Sequence, residues 1–386
     1  MSAHDVRAAL RTEVRRCLDE HVDVRPYLVE NGGEARIDKA LWGTLTGQMG
    51  LAGLLVPEAD GGSGAAVADL AVVFEELGAA LAPVPMFSTA GLVLPVLRAV
   101  EKSEPVRDLL AGIASGSTVA TLALHEADGR YSPEATSARA ERDGTGWVLS
   151  GTKSFVTDAA AADVLVVPAR VEAGIGLVAV PAADARTRTA SGRSSSVRIT
   201  TMTSLDLLRP LATVEFDRAP AQVLAGPDVA LQLGSGLDIA LILLAAEQVG
   251  GAQRCLDNAV SYAKNRVQFG RPIGSFQAIK HQLVDLLLEV ELARSALTHA
   301  VRTADEYLQD PSPATAGALA EGASLARALC SETYTHVADE ALHIHGGIGF
   351  TWEHDSHLYY RRAKAAQLLF GNPDEHRERL AVAAGL

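Results

Sequence analysis

Residues Arg266 to Gln277 read RVQFGRPIGSFQ, and they stand between two long stretches of helical periodicity. Gly270 and Pro272 form a helix stop, because glycine takes the left-handed conformation that ends a helix and proline cannot continue one. Ser275 is placed to cap the helix that follows. Such a corner brings Arg266, in the last turn of one helix, and Gln277, in the first turn of the next, to one end of a bundle. By spacing alone the arginine reads first as an ordinary helix-terminal cation. The same residue types also suit a nucleotide grip. A guanidinium fork matches a pyrophosphate, a glutamine amide matches an adenine or ribose edge, and Phe269 offers an apolar face for stacking.

Working outward, helical periodicity covers 228–264, 276–308, 313–342 and 355–383, with an interruption near Gly371 to Pro373. Four long helices packed as a bundle are expected. In the second, Ile279, Leu283, Leu286, Leu287, Val290, Ala293 and Leu297 form one apolar stripe, while Lys280, Asp285, Glu289 and Glu291 fall largely off it. Between about Thr118 and Leu224 the texture changes to short β-branched runs such as TVATLAL, VLVVPA and IGLVAVP, parted by Gly, Asp and Ser. From Asp5 to Val100 the pattern is helical again, broken at Asn31-Gly32-Gly33 and at Pro57 to Gly64. The expected fold is mainly α with a central β domain: an N-terminal helical domain at 1–117, a middle β domain at 118–226 and a C-terminal helical bundle at 227–386. Arg186 to Ser196, RTRTASGRSSS, reads as a loop.

Composition narrows the function. A net charge of -13 argues against a phosphate-backbone partner, since nucleic-acid binding needs clustered Lys and Arg. Cys17, Cys255 and Cys330 are scattered and odd in number, so neither a disulfide framework nor a CxxC metal site is readable. The N-terminus lacks the apolar core of a signal peptide, and the apolar run Ile239 to Ala246 is far short of the roughly 18 residues a membrane span needs. A cytoplasmic protein is expected. The alternating pair His343 and His345 points to opposite faces of a helix, against a metal site built on both. No GxGxxG, GxxxxGK or GxSxG motif occurs.

The segment YAKNRVQFGRPIGSFQAIKH resembles the signature of the acyl-CoA dehydrogenases, in which the matching arginine, phenylalanine and glutamine hold the FAD of a neighbouring subunit. Those roles fall on Arg266, Phe269 and Gln277, with Gln268 beside them. A second segment, LHIHGGIGFTWEHDSHLYYRRAK, is similar to the family's second signature; it puts His343 where a glutamine is usual and sets Gly346 and Gly347 against the pyrophosphate. The stretches VPEADGGSG, FEELGAALAPVP and GTKSFVTD are family-like too, so the resemblance covers essentially the whole chain. It implies a middle domain of barrel-like form, FAD as cofactor, Thr157 as a partner for flavin N5, and Asn372 in LLFGNPD among the flavin contacts.

The implied reaction is α,β-dehydrogenation of an acyl-CoA thioester, in which a carboxylate removes the α-proton as hydride leaves the β-carbon for the flavin. Here the chain departs from the family. Phe370 stands where the usual glutamate precedes a glycine, and Ala240 occupies a second known position of the base, followed by Leu241 where some relatives have arginine. The strand ALHEADGRYSPE keeps Glu126 but lacks the usual Gly-Ala-Gly-Ser, and Phe155 replaces a common tryptophan. Glu247, two helical turns beyond Ala240, is the remaining candidate base. Its neighbours at three and four residues are Leu243, Leu244, Gly250 and Gly251, so no nearby cation is expected, and burial would raise its pKa towards that of a working base.

Three functions follow as expectations. One is an active dehydrogenase, homomeric or heteromeric, passing electrons to an electron-transfer flavoprotein. Another, suggested by likeness to actinobacterial dehydrogenases of steroid or branched-chain catabolism, is a non-catalytic subunit that shares a flavin with its partner. The third is an acyl-CoA oxidase.

Overall fold

The computed structural model describes residues 2–28, 37–129, 131–132, 135–182, 195–227 and 229–386. Helix α1 (Ala3–His21) starts on a capping box: Ser2 Oγ accepts from the Asp5 N–H while the Asp5 carboxylate accepts from the Ser2 N–H. Short α2 (Lys39–Gly43) precedes α3 (Val67–Ala80); a π-helical stretch, Phe87–Val93, leads into α4 (Leu94–Ala99), and α5 (Glu104–Ala114) completes the N-terminal helices. Ion pairs tie α3 to α1: Arg11 reaches Glu75 at 3.0 Å and Glu76 at 2.8 Å, and Arg15 reaches Glu76 at 2.8 Å. Of the two expected breaks, Asn31-Gly32-Gly33 lies outside the described residues. The other is a 3-10 turn, Glu58–Asp60, closed by left-handed Gly61.

Seven strands follow: β1 (Ala120–Leu122), β2 (Arg139–Asp143), β3 (Gly146–Thr157), β4 (Val164–Val171), β5 (Gly174–Pro181), β6 (Val197–Thr201) and β7 (Leu211–Ala225). Pairing runs β4-β2-β3-β7-β5 and returns from β5 to β4, so the sheet closes on itself as the expected barrel. Closure removes most free edges. Strand β1 runs parallel to β4 and β6 pairs with β7. Residues 186–194 of the expected loop lie outside the described residues.

The C-terminal part holds α6 (Ala230–Asn265), α7 (Gln277–Gln309), α8 (Pro313–His345), α9 (Ser356–Leu368) and α10 (Pro373–Ala383). The fourth periodic stretch is therefore two helices, parted where Gly371 takes φ +98° and Asn372 caps α10. Between α6 and α7 the chain forms a small hairpin, β8 (Val267–Gln268) with β9 (Arg271–Pro272). Ser275 does not cap α7 as expected. Its hydroxyl donates to the Pro272 carbonyl at 2.7 Å, and the residue at the helix start is Phe276. The α7 stripe also differs in one residue: Leu286, Val290, Ala293 and Leu297 are buried, whereas Leu287 is 44% exposed and joins Val284, Leu288 and Leu292 on an outward apolar face.

Helix α6 organises the whole, packing on α3 and α4 to one side and on α7 and α8 to the other. It is long and apolar enough to cross a bilayer, yet most of that apolar window is buried inside the protein. Two glycines set its distance from α3. A Cβ on Gly78 would stand 2.0 Å from the Glu247 carbonyl oxygen, and one on Gly250 would stand 1.8 Å from the Glu75 carbonyl oxygen, so the two backbones touch there.

Candidate active site

Three parts of the chain converge on a cleft of about 940 Å³: α6 through Leu237, Asp238, Ala240 and Leu241, the segment after β1 through His125, and the α9–α10 junction through Phe370. The two positions at which the resemblance expects a base, Ala240 and Phe370, both stand on its wall. Neither side chain can take a proton.

An aromatic cluster crosses the cleft. The His125 ring lies 5.0 Å from Phe370 and 5.4 Å from Tyr131, with Phe155 edge-on to it at 6.1 Å and Phe87 at 6.2 Å from Phe370. Burial first, then the nearby Lys153 cation, pushes the His125 pKa down to about 4, so this histidine is neutral at physiological pH. Thr157, the expected N5 partner, is 1% exposed and does not line the cleft. Its carbonyl accepts from the Thr121 hydroxyl at 2.6 Å, and its own hydroxyl lies 3.5 Å from that same oxygen. Glu126 is held in a buried ion pair with Lys153 and accepts from the Ser137 hydroxyl. Asn372 lines the cleft, but its Oδ1 accepts from the Asp374 and Glu375 N–H groups as the α10 cap. The hydroxyls on the described lining of the cleft are those of Tyr131 and Ser132.

Glu247 overturns the expectation placed on it. Its carboxylate does not line the cleft; it borders a separate void of about 10 Å³ behind Phe87. There Arg209 binds one carboxylate oxygen at 2.5 Å and Arg362 the other at 2.9 Å, and Arg362 is in turn ion-paired with Asp206. Burial pushes the Glu247 pKa up, but the two guanidiniums, Arg209 and then Arg362, outweigh it and hold the carboxyl below its ordinary range. Arg209 enters from the turn before β7 and Arg362 from α9, 38 and 115 residues away in sequence. The local neighbours of Glu247 could not announce them. The available signal was general: a carboxylate in so apolar a helix needs a counter-charge from somewhere.

The corner at Arg266 has the opposite character. Arg266, Gln268, Phe269 and Gln277 are all exposed, with Phe269 93% exposed at the hairpin tip in a left-handed conformation of φ +53°. Among the described residues neither the Arg266 guanidinium nor the Gln277 amide has a partner. Phe276 backs Phe269 edge-on at 6.2 Å and is itself covered by the Arg271 guanidinium at 4.1 Å. Tyr262 and His345 stack at 4.6 Å, which brings the ends of α6 and α8 together and sets Gly346 at the same end of the bundle as Arg266. Gly346 has φ +64°, and a Cβ on it or on Gly347 would meet nothing within 4 Å, so the backbone there is open to a close approach. His343 is exposed and His345 buried, on opposite faces. An outward set of a free cation, an amide, a ring and two bare glycines fits the adenosine and pyrophosphate arm of a dinucleotide bound from outside the chain.

Three family models match: acyl-CoA dehydrogenase N-terminal domain over residues 5–117, middle domain over 121–207 and C-terminal domain over 231–385. Acyl-CoA dehydrogenase IpdE2 of Mycolicibacterium smegmatis is 35% identical over 375 residues, 97% of each chain. Among solved structures, a variant of the Tcur3481-Tcur3483 steroid ACAD is 30% identical with a TM-score of 0.83, covering 100% of this chain and 99% of that one. The ChsE4-ChsE5 complex from Mycobacterium tuberculosis is 26% identical with a TM-score of 0.83, covering 100% and 98%.

Proposed function

This chain belongs to the acyl-CoA dehydrogenase family, whose enzymes are FAD-dependent oxidoreductases, and from that premise we propose that it is the flavin-sharing subunit of a dehydrogenase built from two related chains. It lends Arg266, Phe269 and Gln277 to the flavin of a partner whose own cleft carries the base. The bound FAD supplies the hydride acceptor, and electrons pass on to an electron-transfer flavoprotein. The acyl-CoA substrate is of the steroid-derived kind that the Tcur3481-Tcur3483 relative suggests.

The observation that carries this reading is the separation of Glu247 from the cleft. A base must reach the proton it abstracts and have a pKa near the working pH. Glu247 is locked between Arg209 and Arg362 outside the cleft, and the two cleft positions at which the family resemblance expects the base are filled by Ala240 and Phe370. Two similar solved structures, Tcur3481-Tcur3483 and ChsE4-ChsE5, are named as pairs of different chains, which supports a two-chain assembly. The outward apolar face of α7 supplies surface for such an assembly.

The test is anaerobic bleaching of flavin by acyl-CoA, with the chain alone and with the related chain it is co-expressed with. Alone, the chain should show no bleaching. In the assembly, Glu247→Gln should bleach at the wild-type rate while Arg266→Ala loses flavin. If Glu247 is instead the base, Glu247→Gln keeps its flavin and stops bleaching, and the proposal fails.

A further inference from the structure

The turn that carries Phe370 into the cleft is held from behind, and we infer that Arg327 and His376 are positioning residues of the cleft: together they lock the turn at 369–371 so that the Phe370 ring lies against His125. Neither side chain lines the cleft itself. The inference concerns the form of that wall and does not rest on the subunit reading. The turn needs holding because Phe370 has φ +60° and Gly371 φ +98°, so two successive residues are left-handed, and the first bears a side chain that disfavours this. It also follows the end of α9, where the last carbonyls have no donor within the helix.

Two buried side chains supply the missing donors. Arg327 Nη2 donates to the Leu369 carbonyl at 2.9 Å and the Ala366 carbonyl at 3.0 Å, with the Gly371 carbonyl at 3.4 Å. His376, 1% exposed, donates from Nε2 to the Phe370 carbonyl at 3.1 Å, since a carbonyl can only accept. The other arm of the guanidinium, Nη1, donates to Gln248 Oε1 at 2.7 Å and to Ser331 Oγ at 2.8 Å, which roots the clamp in α6 and α8. Among the described residues no carboxylate pairs with Arg327, and burial lowers its pKa only to about 10, so it stays charged at neutral pH without a counter-charge. Burying a lone cation is unfavourable, but its planar fork reaches several carbonyls at once. In front of the turn the Phe370 ring lies 5.0 Å from His125, and bare Gly371 leaves room for Tyr131, whose hydroxyl would stand 2.9 Å from a Cβ there. His125, Tyr131 and Phe370 all line the cleft, so the clamp sets the wall that a ligand meets.

The experiment is NMR of the full chain with isotope-labelled histidine, His125 being assigned by its loss in His125→Phe. It reads the pH at which His125 titrates, and so whether the Phe370 ring still covers it. The charged group facing His125 is Lys153, ion-paired with Glu126, and no variant touches that pair. His376 is neutral, its pKa pushed down to about 3, so His376→Leu removes a donor without removing a charge. His376→Leu and Arg327→Met should each raise the His125 midpoint by about one pH unit or more, as water reaches the ring. His376→Gln and Arg327→Lys, which keep a donor, should titrate close to wild type. Phe370→Ala should raise the midpoint by itself, and His376→Leu added to it should raise it no further. If the two side chains only stabilise the fold, His376→Leu and Arg327→Met lower the melting temperature but leave His125 titrating as in wild type, and the inference fails. It fails equally if Phe370→Ala leaves His125 unmoved or if its effect and that of His376→Leu add. Where Arg327→Met does not fold, His376→Leu decides.

Discussion

Glu247 and Arg362 meet 2.9 Å apart in the core although 115 residues separate them in sequence, and Arg209 closes on the other carboxylate oxygen at 2.5 Å. The three groups join α6, α9 and the turn before β7, so the network fastens the bundle to the barrel. Removing one partner of a buried pair strands the other charges. Glu247→Ala should therefore lower the unfolding free energy by about 3–5 kcal/mol in a denaturant titration. Bleaching per folded, flavin-loaded assembly should stay at the wild-type rate.

The contact between α3 and α6 makes a second, purely steric prediction. Gly250→Ala drives a methyl group into the Glu75 carbonyl, backbone against backbone, and should cost about 3 kcal/mol because neither helix can yield without parting. Gly234, on the same helix, is the control, because a methyl group added there would meet nothing within 4 Å. Gly234→Ala should raise stability by about 0.5–1 kcal/mol through helix propensity. Equal effects at the two positions in thermal melts would contradict the packing described.

Stability should fall on acidification below about pH 6.5, and the sign follows from two buried histidines. Burial holds His125 at about 4 and His376 at about 3, the latter helped by the charges of Arg327 and Arg379, against 6.5 for the free side chain. Both stay neutral in the fold and take up protons on unfolding. Each adds a slope of up to about 1.4 kcal/mol per pH unit between pH 6.5 and its folded pKa. Glu247, with its pKa lowered, adds loss in the same direction as pH falls below its ordinary range near 4.5. Asp158 acts oppositely: burial raises it to about 6, so the stability its protonated form gives is complete below 3.8 and lost as pH rises through 6. Two histidines outweigh one aspartate. His125→Phe should flatten the melting temperature between pH 6.5 and 4.5, and Asp158→Asn should steepen it.

At the corner, Arg266→Ala removes a charge-assisted contact to a phosphate and should weaken flavin retention by about tenfold to a hundredfold. Phe269→Ala should act in the same direction. Because both side chains are exposed, neither change should move the melting temperature of the flavin-free chain. A large loss of stability in that flavin-free chain would assign the corner a structural role instead.

The layering of helices, barrel and helices was legible because each texture has its own period, and α6, α7 and α8 start and end within three residues of the expected bounds. The places of the missing bases were legible too: Ala240 and Phe370 do share one cleft. Three things were hidden by distance in sequence. The partners of Glu247 come from other elements, so its apolar local setting suggested a raised pKa where two guanidiniums produce a lowered one. The burial of Thr157 depends on Thr121 across the barrel and on the closure of the sheet. The second apolar face of α7 differs from the first only in what packs on it, and Leu287 could be assigned to either.

The most direct measurement is the molar ratio of FAD to protein chains in the purified two-chain assembly, read from flavin absorbance against quantitative amino-acid analysis. If this chain lends its corner and seats no ring in its own cleft, the ratio is one flavin for each pair of chains. A ratio of one flavin for every chain would contradict the account.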